Sequence, residues 1–247
     1  MNFDILAAID LTATAVIVPA AVILGSPLDA ARQRGLGYTV GGWFSLLVGL
    51  AAAGFFSLEG AGPPAIGAAA ALPIVAALIA WRRSTVIRTL ASSTPLPILV
   101  ALHAGRVLGV EFVILYSIGR LPPTFALSAG LGDMLIGILA VPLAFAIHRR
   151  VSGWQRYALV WNVLGFLDLL SAVSLGVGSS PGFPLRFIFE QPDSGIMGTL
   201  PWFLIPGFLV PLYLIAHLFI FARLLGVSAS TEPNTSISTL GGVRAGP

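Results

Sequence analysis

The sequence predicts an all-α integral membrane protein, a bundle of seven transmembrane helices with the N-terminus outside and the C-terminus in the cytoplasm. Two observations of composition lead to this class: only 9% of the 247 residues are charged, and 57% are hydrophobic. Soluble domains carry about 25% charged residues, so a soluble fold of this size would lack the charge to cover its surface. The same numbers exclude an ordinary cytosolic enzyme, a disordered chain and a nucleic-acid binder.

Seven apolar stretches are long enough, or nearly so, to cross the hydrocarbon core of a bilayer, which is about 30 Å thick. Lipid offers no hydrogen-bond partner to free backbone groups, so each stretch is expected to be helical. We place the spans at about 5–24, 39–58, 65–81, 97–119, 124–147, 157–178 and 200–222. Residues 1–224 then form one transmembrane domain, and residues 225–247, rich in Ser, Thr and Gly, are expected to be a disordered cytoplasmic tail.

The arginines between the spans predict the orientation. All 13 basic residues are arginines, and ten of them lie in the first, third and fifth loops or after the last span. Only Arg120 and Arg186 lie in loops on the opposite side. The arginine-rich side is expected to face the cytoplasm, which gives an N-out, C-in protein of the bacterial inner membrane.

Polar side chains inside the spans are the candidate site residues, because an ionisable group at the centre of a span costs roughly 2.5–3.5 kcal/mol on insertion scales. Their depth is counted from the cytoplasmic end of each span. From that end outward they form three layers of one column: His103, Asn162 and His217, then Arg106 and Asp168, then Asp10, Glu111 and Asp133.

Helical periodicity predicts how the central spans face one another. At about 100° per residue, the face of span 4 that carries Arg106 differs from the face of small residues that includes Gly109. In span 5, Gly130 and Gly137 flank Asp133 on its own face. Small residues in that position leave room beside the carboxylate for a close helix or for a ligand.

Charge counting leads to the expected function. Four carboxylates share the spans with a single arginine, so three negative charges would stay uncompensated if all were ionised. An apolar interior does not tolerate this, so the carboxylates take up protons, cations enter, or both histidines are charged. We therefore expect a protein that binds or translocates a small solute with proton or cation coupling. The expected roles are a counter-ion or anion site at Arg106, protonatable groups at Glu111, Asp133 and Asp168, and inner-side relays at His103 and His217.

Three other interpretations of these residues stay open. Arg106 paired with Asp168 or Asp133 would be a structural ion pair that holds helices in register. His103 and His217 lie at one depth and would suit axial ligands of a b-type haem, as in a membrane redox or biosynthetic protein. The third is a non-catalytic subunit of a membrane complex, whose polar residues pair entirely with each other.

The sequence is less informative about catalysis and assembly. It has no cysteine and no H-E-x-x-H motif, so we expect no resident metal and do not favour an enzyme. The lipid bilayer is the one partner that the composition requires, and no oligomeric state is predicted.

A distinctive pattern of residues lies in the second half of the chain. It consists of Arg106, Gly109, Phe112, Gly119, Leu121-Pro122, Phe125-Ala126, Ala129-Gly130, Gly132-Asp133, Trp161-Asn162, Gly165 and Asp168. This pattern resembles a group of uncharacterised bacterial multi-pass inner-membrane proteins. The resemblance covers roughly residues 100–220 and implies a location and a topology but no activity.

Overall fold

The computed structural model describes residues 2–57 and 60–226, so most of the predicted tail lies outside the described residues. Within those ranges the chain is helical and contains no strand. Seven helices are long and apolar enough to cross a membrane, which confirms the predicted all-helical class and the number of candidate spans. They are α1 Phe3–Leu24, α2 Ala30–Ala52, α3 Gly62–Arg83, α5 Leu96–Ser117, α6 Pro123–His148, α7 Trp154–Gly178 and α8 Ile205–Leu224.

Two helices begin at residues other than those that the hydropathy pattern indicated. Helix α2 begins at Ala30 because Asp29 caps it, accepting a 2.9 Å hydrogen bond from the backbone N–H of Arg32. This hydrogen bond also lowers the pKa of the Asp29 carboxyl. Helix α8 begins at Ile205 rather than near residue 200, because turns occupy residues 199–203.

A short helix, α4 (Thr85–Ser93), lies between α3 and α5 and was not predicted. Its nine residues are too few to span a bilayer. Leu90 and Ala91 are buried where α4 packs on α3 and α8, and Arg88 Nη1 donates to the carbonyl oxygen of Arg82 at 3.0 Å. The Arg223 guanidinium donates to the carbonyl oxygen of Thr94, which joins the end of α8 to this segment. Helix α4 is therefore an amphipathic element at the arginine-rich end.

Helices α5, α6, α7 and α8 pack together as the centre of the bundle. Two of them depart from regular α-helix at their middle or their start: residues Leu102–Gly109 of α5 form a 3-10 helix, and residues Ile205–Leu209 of α8 form a π turn. In a 3-10 helix the residues i and i+3 are eclipsed, so His103, Arg106 and Gly109 lie on one buried face. Mid-helix segments of both kinds often mark functional sites.

Candidate functional site

Arg106 joins its own helix, α5, to the neighbouring helices α6 and α7. Its side chain is 1% exposed, Nε donates to Asp133 Oδ1 on α6 at 2.6 Å, and Nη2 forms an ion pair with Asp168 on α7. Nη1 donates to the carbonyl oxygen of Gly165 at 3.1 Å. All three guanidinium nitrogens are thus hydrogen-bonded, and one cation holds α5, α6 and α7 together.

His217 on α8 completes this arrangement and is neutral. Asn162 Nδ2 donates to the backbone carbonyl of His217 at 3.1 Å, and His217 Nδ1 lies 2.7 Å from Asn162 Oδ1. An amide oxygen only accepts, so Nδ1 carries a proton. His217 Nε2 lies 3.3 Å from Arg106 Nη1, which only donates, so Nε2 is the unprotonated acceptor. We call Arg106, Asp133, Asn162, Asp168 and His217 the Arg106 cluster.

His103 lies directly against this cluster. Its ring is fully buried, 4.1 Å from that of His217, 5.2 Å from Trp161 and 5.1 Å from Tyr213 between ring centroids. Neither ring nitrogen has a hydrogen-bond partner among the described residues. His103 is therefore a buried imidazole that packs against aromatic rings, and its nitrogens make no hydrogen bond within the described residues.

The two imidazoles do not fit axial ligation of a haem. An iron between them would need one nitrogen of each ring aimed at it from opposite sides at about 2 Å, with a porphyrin plane in the gap. The rings of His103 and His217 are instead in contact, tilted by 39°, and both nitrogens of His217 are hydrogen-bonded within the protein. The described residues also contain no group of three or more His, Cys, Asp or Glu placed to hold a metal ion.

Glycines set the spacing of the helices around Arg106. A Cβ added to Gly109 would lie 2.6 Å from the carbonyl oxygen of Gly130, and one added to Gly137 would lie 2.7 Å from a backbone nitrogen of α5. A Cβ on Gly132 would overlap the carboxylate of Asp168. Sequence analysis left open whether a helix or a ligand lies beside the glycines that flank Asp133. The structure places α5 there, with its backbone so close to that of α6 that only glycine fits.

Two small cavities border the cluster. One of about 30 Å³ is lined by Arg106, Asp133 and Tyr213, a volume that suits about one water molecule. The other, about 100 Å³, reaches Asp133 between α3, α7 and the start of α8. Both are lined by Ile205 of the π turn. The Oη of Tyr213 is buried and has no partner in the part of the chain that the structure describes.

Glu111 lies apart from the other predicted residues. It is buried, its Oε2 has no hydrogen-bond partner among the described residues, and Arg106 is bonded to other groups. Its electrostatic neighbour is Asp10 on α1, which is exposed. The structure therefore brings six of the eight candidate residues together and leaves Glu111 and Asp10 outside.

Sequence analysis missed Tyr213 as a site residue. Helical spacing could have indicated it, because Tyr213 lies four residues before His217 and hence on the same face of α8. The carbonyl oxygen of Gly165 was missed too, since no side-chain pattern reveals a backbone acceptor.

Fold and site define an all-helical protein with seven candidate spans and a buried arginine–carboxylate cluster. Residues 63–225 match a family described as a domain of unknown function (DUF8737), so the chain belongs to that family. The matched range contains α3 to α8 and every residue of the Arg106 cluster, and α1 and α2 precede it. No curated protein and no solved structure matches the chain.

Proposed function

We propose that this is a multi-pass protein of the bacterial inner membrane, N-out and C-in, that binds or translocates a small solute with proton or cation coupling at the Arg106 cluster. The orientation is supported by the arginines, ten of which lie in loops or termini on one side and two in loops on the other. The membrane location is supported by the seven apolar helices.

The charge balance of the cluster carries the proposal. One guanidinium contacts two carboxylates and one neutral imidazole, which leaves a net charge of −1 when both carboxylates are ionised. An uncompensated charge in a span is costly, so the cluster takes up a proton or a small cation. Asp168 is the proposed exchange site, because its side chain is 18% exposed and that of Asp133, the other carboxylate bound to Arg106, is 12% exposed.

The cavity of about 100 Å³ supports a site for solute on the outer side of the cluster. Phe112, Phe125 and Ile205 give it apolar walls, and Asp133 supplies a carboxylate at its end. This chemistry suits a small solute with an apolar body and one cationic or hydrogen-bond-donating group. A cationic solute at Asp133 and a proton on Asp168 would each neutralise the net charge of −1. Binding of one would therefore weaken binding of the other, which couples solute to proton.

The interpretation as a non-catalytic subunit is less well supported. It requires the intramembrane polar groups to pair with each other, whereas atoms of His103, Glu111 and Tyr213 have no partner among the described residues. Of these, Tyr213 lines the cavity at Arg106, where an unpartnered buried polar atom is expected if a ligand or water binds.

Proton movement in proteoliposomes tests the proposal. Purified protein is reconstituted around a pH-sensitive dye, and a panel of alkylamines, choline and short alcohols is added outside. We expect at least one amine to drive a change of internal pH that Asp168→Asn abolishes and that Asp4→Asn, at an exposed ion pair, leaves intact. Wild-type liposomes whose internal pH matches that of protein-free liposomes for every compound would overturn the proposal.

A further inference from the structure

A second cleft lies in the part of the bundle nearer the arginine-rich end and shares no residue with the Arg106 cluster. Its volume is about 550 Å³, within the range of about 300–1,000 Å³ that is usual for ligand sites. Helices α1, α2, α3, α4, α5 and α8 all line it. Nothing in the proposed solute function uses this space.

The cleft is deep and apolar. Its floor includes Leu99, Phe208 and Phe219, which are buried residues of the two central helices α5 and α8. Its walls include Pro19 of α1 and Pro73 of α3. A proline inside a helix removes a backbone hydrogen bond and bends the helix, so these residues shape a lasting gap between helices. A cleft that reaches the central helices differs from the outer surface that any surrounding lipid covers.

The rim of the cleft is strongly basic. Residues 25–38 and 81–95, which border it, contain one aspartate, Asp29, and five arginines: Arg32, Arg34, Arg82, Arg83 and Arg88. Their net charge is therefore +4, from five positive charges and one negative charge. Every one of these arginines lies within about one helical turn of a residue that lines the cleft, such as Leu36, Ala80 or Ile87.

We propose that this cleft binds an acyl chain of one anionic phospholipid, with the lipid phosphate held by the arginines of the rim. An apolar chain matches the walls, and arginines favour phosphate because their forked donors bind its oxygens bidentately. A second copy of the chain is a poorer occupant. A symmetric dimer through this face would bring two rims of the same positive charge together.

Fluorescence quenching by brominated lipids tests the proposal, since Trp43 lines the cleft and reports on bromine close to its ring. The full chain is reconstituted in phosphatidylcholine bilayers that contain a small fraction of brominated phosphatidylglycerol or brominated phosphatidylcholine. The Trp43→Phe variant provides the signal of the other tryptophans for subtraction. We expect the Trp43 signal to be quenched saturably at a low fraction of the anionic lipid, and weakly and linearly by the zwitterionic lipid.

Two pairs of variants separate the cleft from general lipid contact. Ala77→Phe fills the cleft and should abolish the saturable phase, whereas Ala71→Phe places the same ring on an exposed face of α3. Removal of rim charge by Arg82→Gln and Arg83→Gln should weaken apparent binding about fivefold per arginine.

The control for rim charge is the Arg149→Gln variant, which should leave lipid binding unchanged. Arg149 lies at the same end of the bundle but packs on Phe145 of α6, away from the cleft. Equal, linear quenching by both brominated lipids would overturn the proposal. So would a saturable phase that survives Ala77→Phe, or a Trp43 signal that no lipid quenches because a second copy covers it. The solute proposal does not depend on either lipid result, because its measurement is proton movement at Asp168.

Discussion

Arg120 and Arg106 each form ion pairs with aspartates of other helices, but in very different surroundings. Arg120, just beyond the end of α5, binds Asp4 in the first turn of α1 at 2.7 Å, and both side chains are 35% exposed. Arg106, within α5, binds two aspartates and is 1% exposed. The Arg120–Asp4 pair is balanced one to one and partly exposed, whereas the Arg106 cluster holds two acids for one base. Burial and stoichiometry, rather than the residue types, make the Arg106 cluster the candidate proton site.

The largest expected difference follows removal of each arginine. Arg106→Ala leaves a buried carboxylate, Asp133, and a half-buried one, Asp168, without a counter-ion, a change that costs about 3–5 kcal/mol of stability in buried pairs. Arg120→Ala breaks an exposed pair and should cost at most about 1 kcal/mol. Unfolding of the purified proteins in one detergent measures both.

A triple variant tests the cause of that loss. Replacing Asp133 and Asp168 by Asn in the Arg106→Ala background removes the orphaned charges, so much of the lost stability should return. Equal losses for the two arginine variants, or no recovery in the triple variant, would contradict the comparison.

The next effect concerns the close approach of α5 to α6. A methyl group on Gly109 would meet the backbone of Gly130 and the Cβ of Asp133, so Gly109→Ala should cost about 1–3 kcal/mol by overpacking. Gly41→Ala on α2, where nothing lies within 4 Å of an added Cβ, is the matched control and should be neutral or slightly stabilising. If the two alanine variants have the same free energy of unfolding, the close contact between Gly109 and Gly130 does not set the spacing of α5 and α6.

A loss of similar size is expected at Asn162. Asn162→Ala leaves the Nδ1–H of His217 without its acceptor, and an unsatisfied buried donor costs about 1–3 kcal/mol. Ser174→Ala on the same helix removes an exposed hydroxyl that bonds only its own helix, and should change stability little. A cost for Asn162→Ala no larger than that for Ser174→Ala would argue against the neutral His217 tautomer.

The smallest effect on stability is expected at Tyr213. Its hydroxyl has no partner in the described part of the chain, so Tyr213→Phe should leave unfolding almost unchanged. Because the hydroxyl lines the cavity at Arg106 and Asp133, the same variant should slow solute-driven proton movement. A variant with reduced stability and normal proton movement would assign Tyr213 a purely structural role.

Sequence reasoning could predict the seven candidate spans, because hydropathy over about 20 residues is a strong signal. It also offered Asp168 or Asp133 as an ion-pair partner of Arg106, because charged residues inside neighbouring spans tend to pair; the structure pairs Arg106 with both. It could not predict the 3-10 segment at Leu102–Gly109, which turns Gly109 toward the face of Arg106; tertiary packing decides that geometry.

Depth alone was also insufficient for the histidines. Residues His103 and His217 were placed at one level, and their rings do meet. Equal depth, however, is expected both for two rings in contact and for two rings on either side of an iron. The contact between the two rings and the hydrogen bonds at both nitrogens of His217 distinguish these two cases.

Infrared spectroscopy of the protonated carboxyl group tests the central claim most directly, namely that the Arg106 cluster holds one exchangeable proton. The measurement uses reconstituted protein in a Glu111→Gln background, which removes the buried carboxyl group that lies outside the Arg106 cluster. We predict a carboxylic-acid band that appears as the pH is lowered, is lost in Asp168→Asn and persists in Asp4→Asn. A spectrum without that band at every pH where the protein stays folded, or a band unaffected by Asp168→Asn, would contradict the claim.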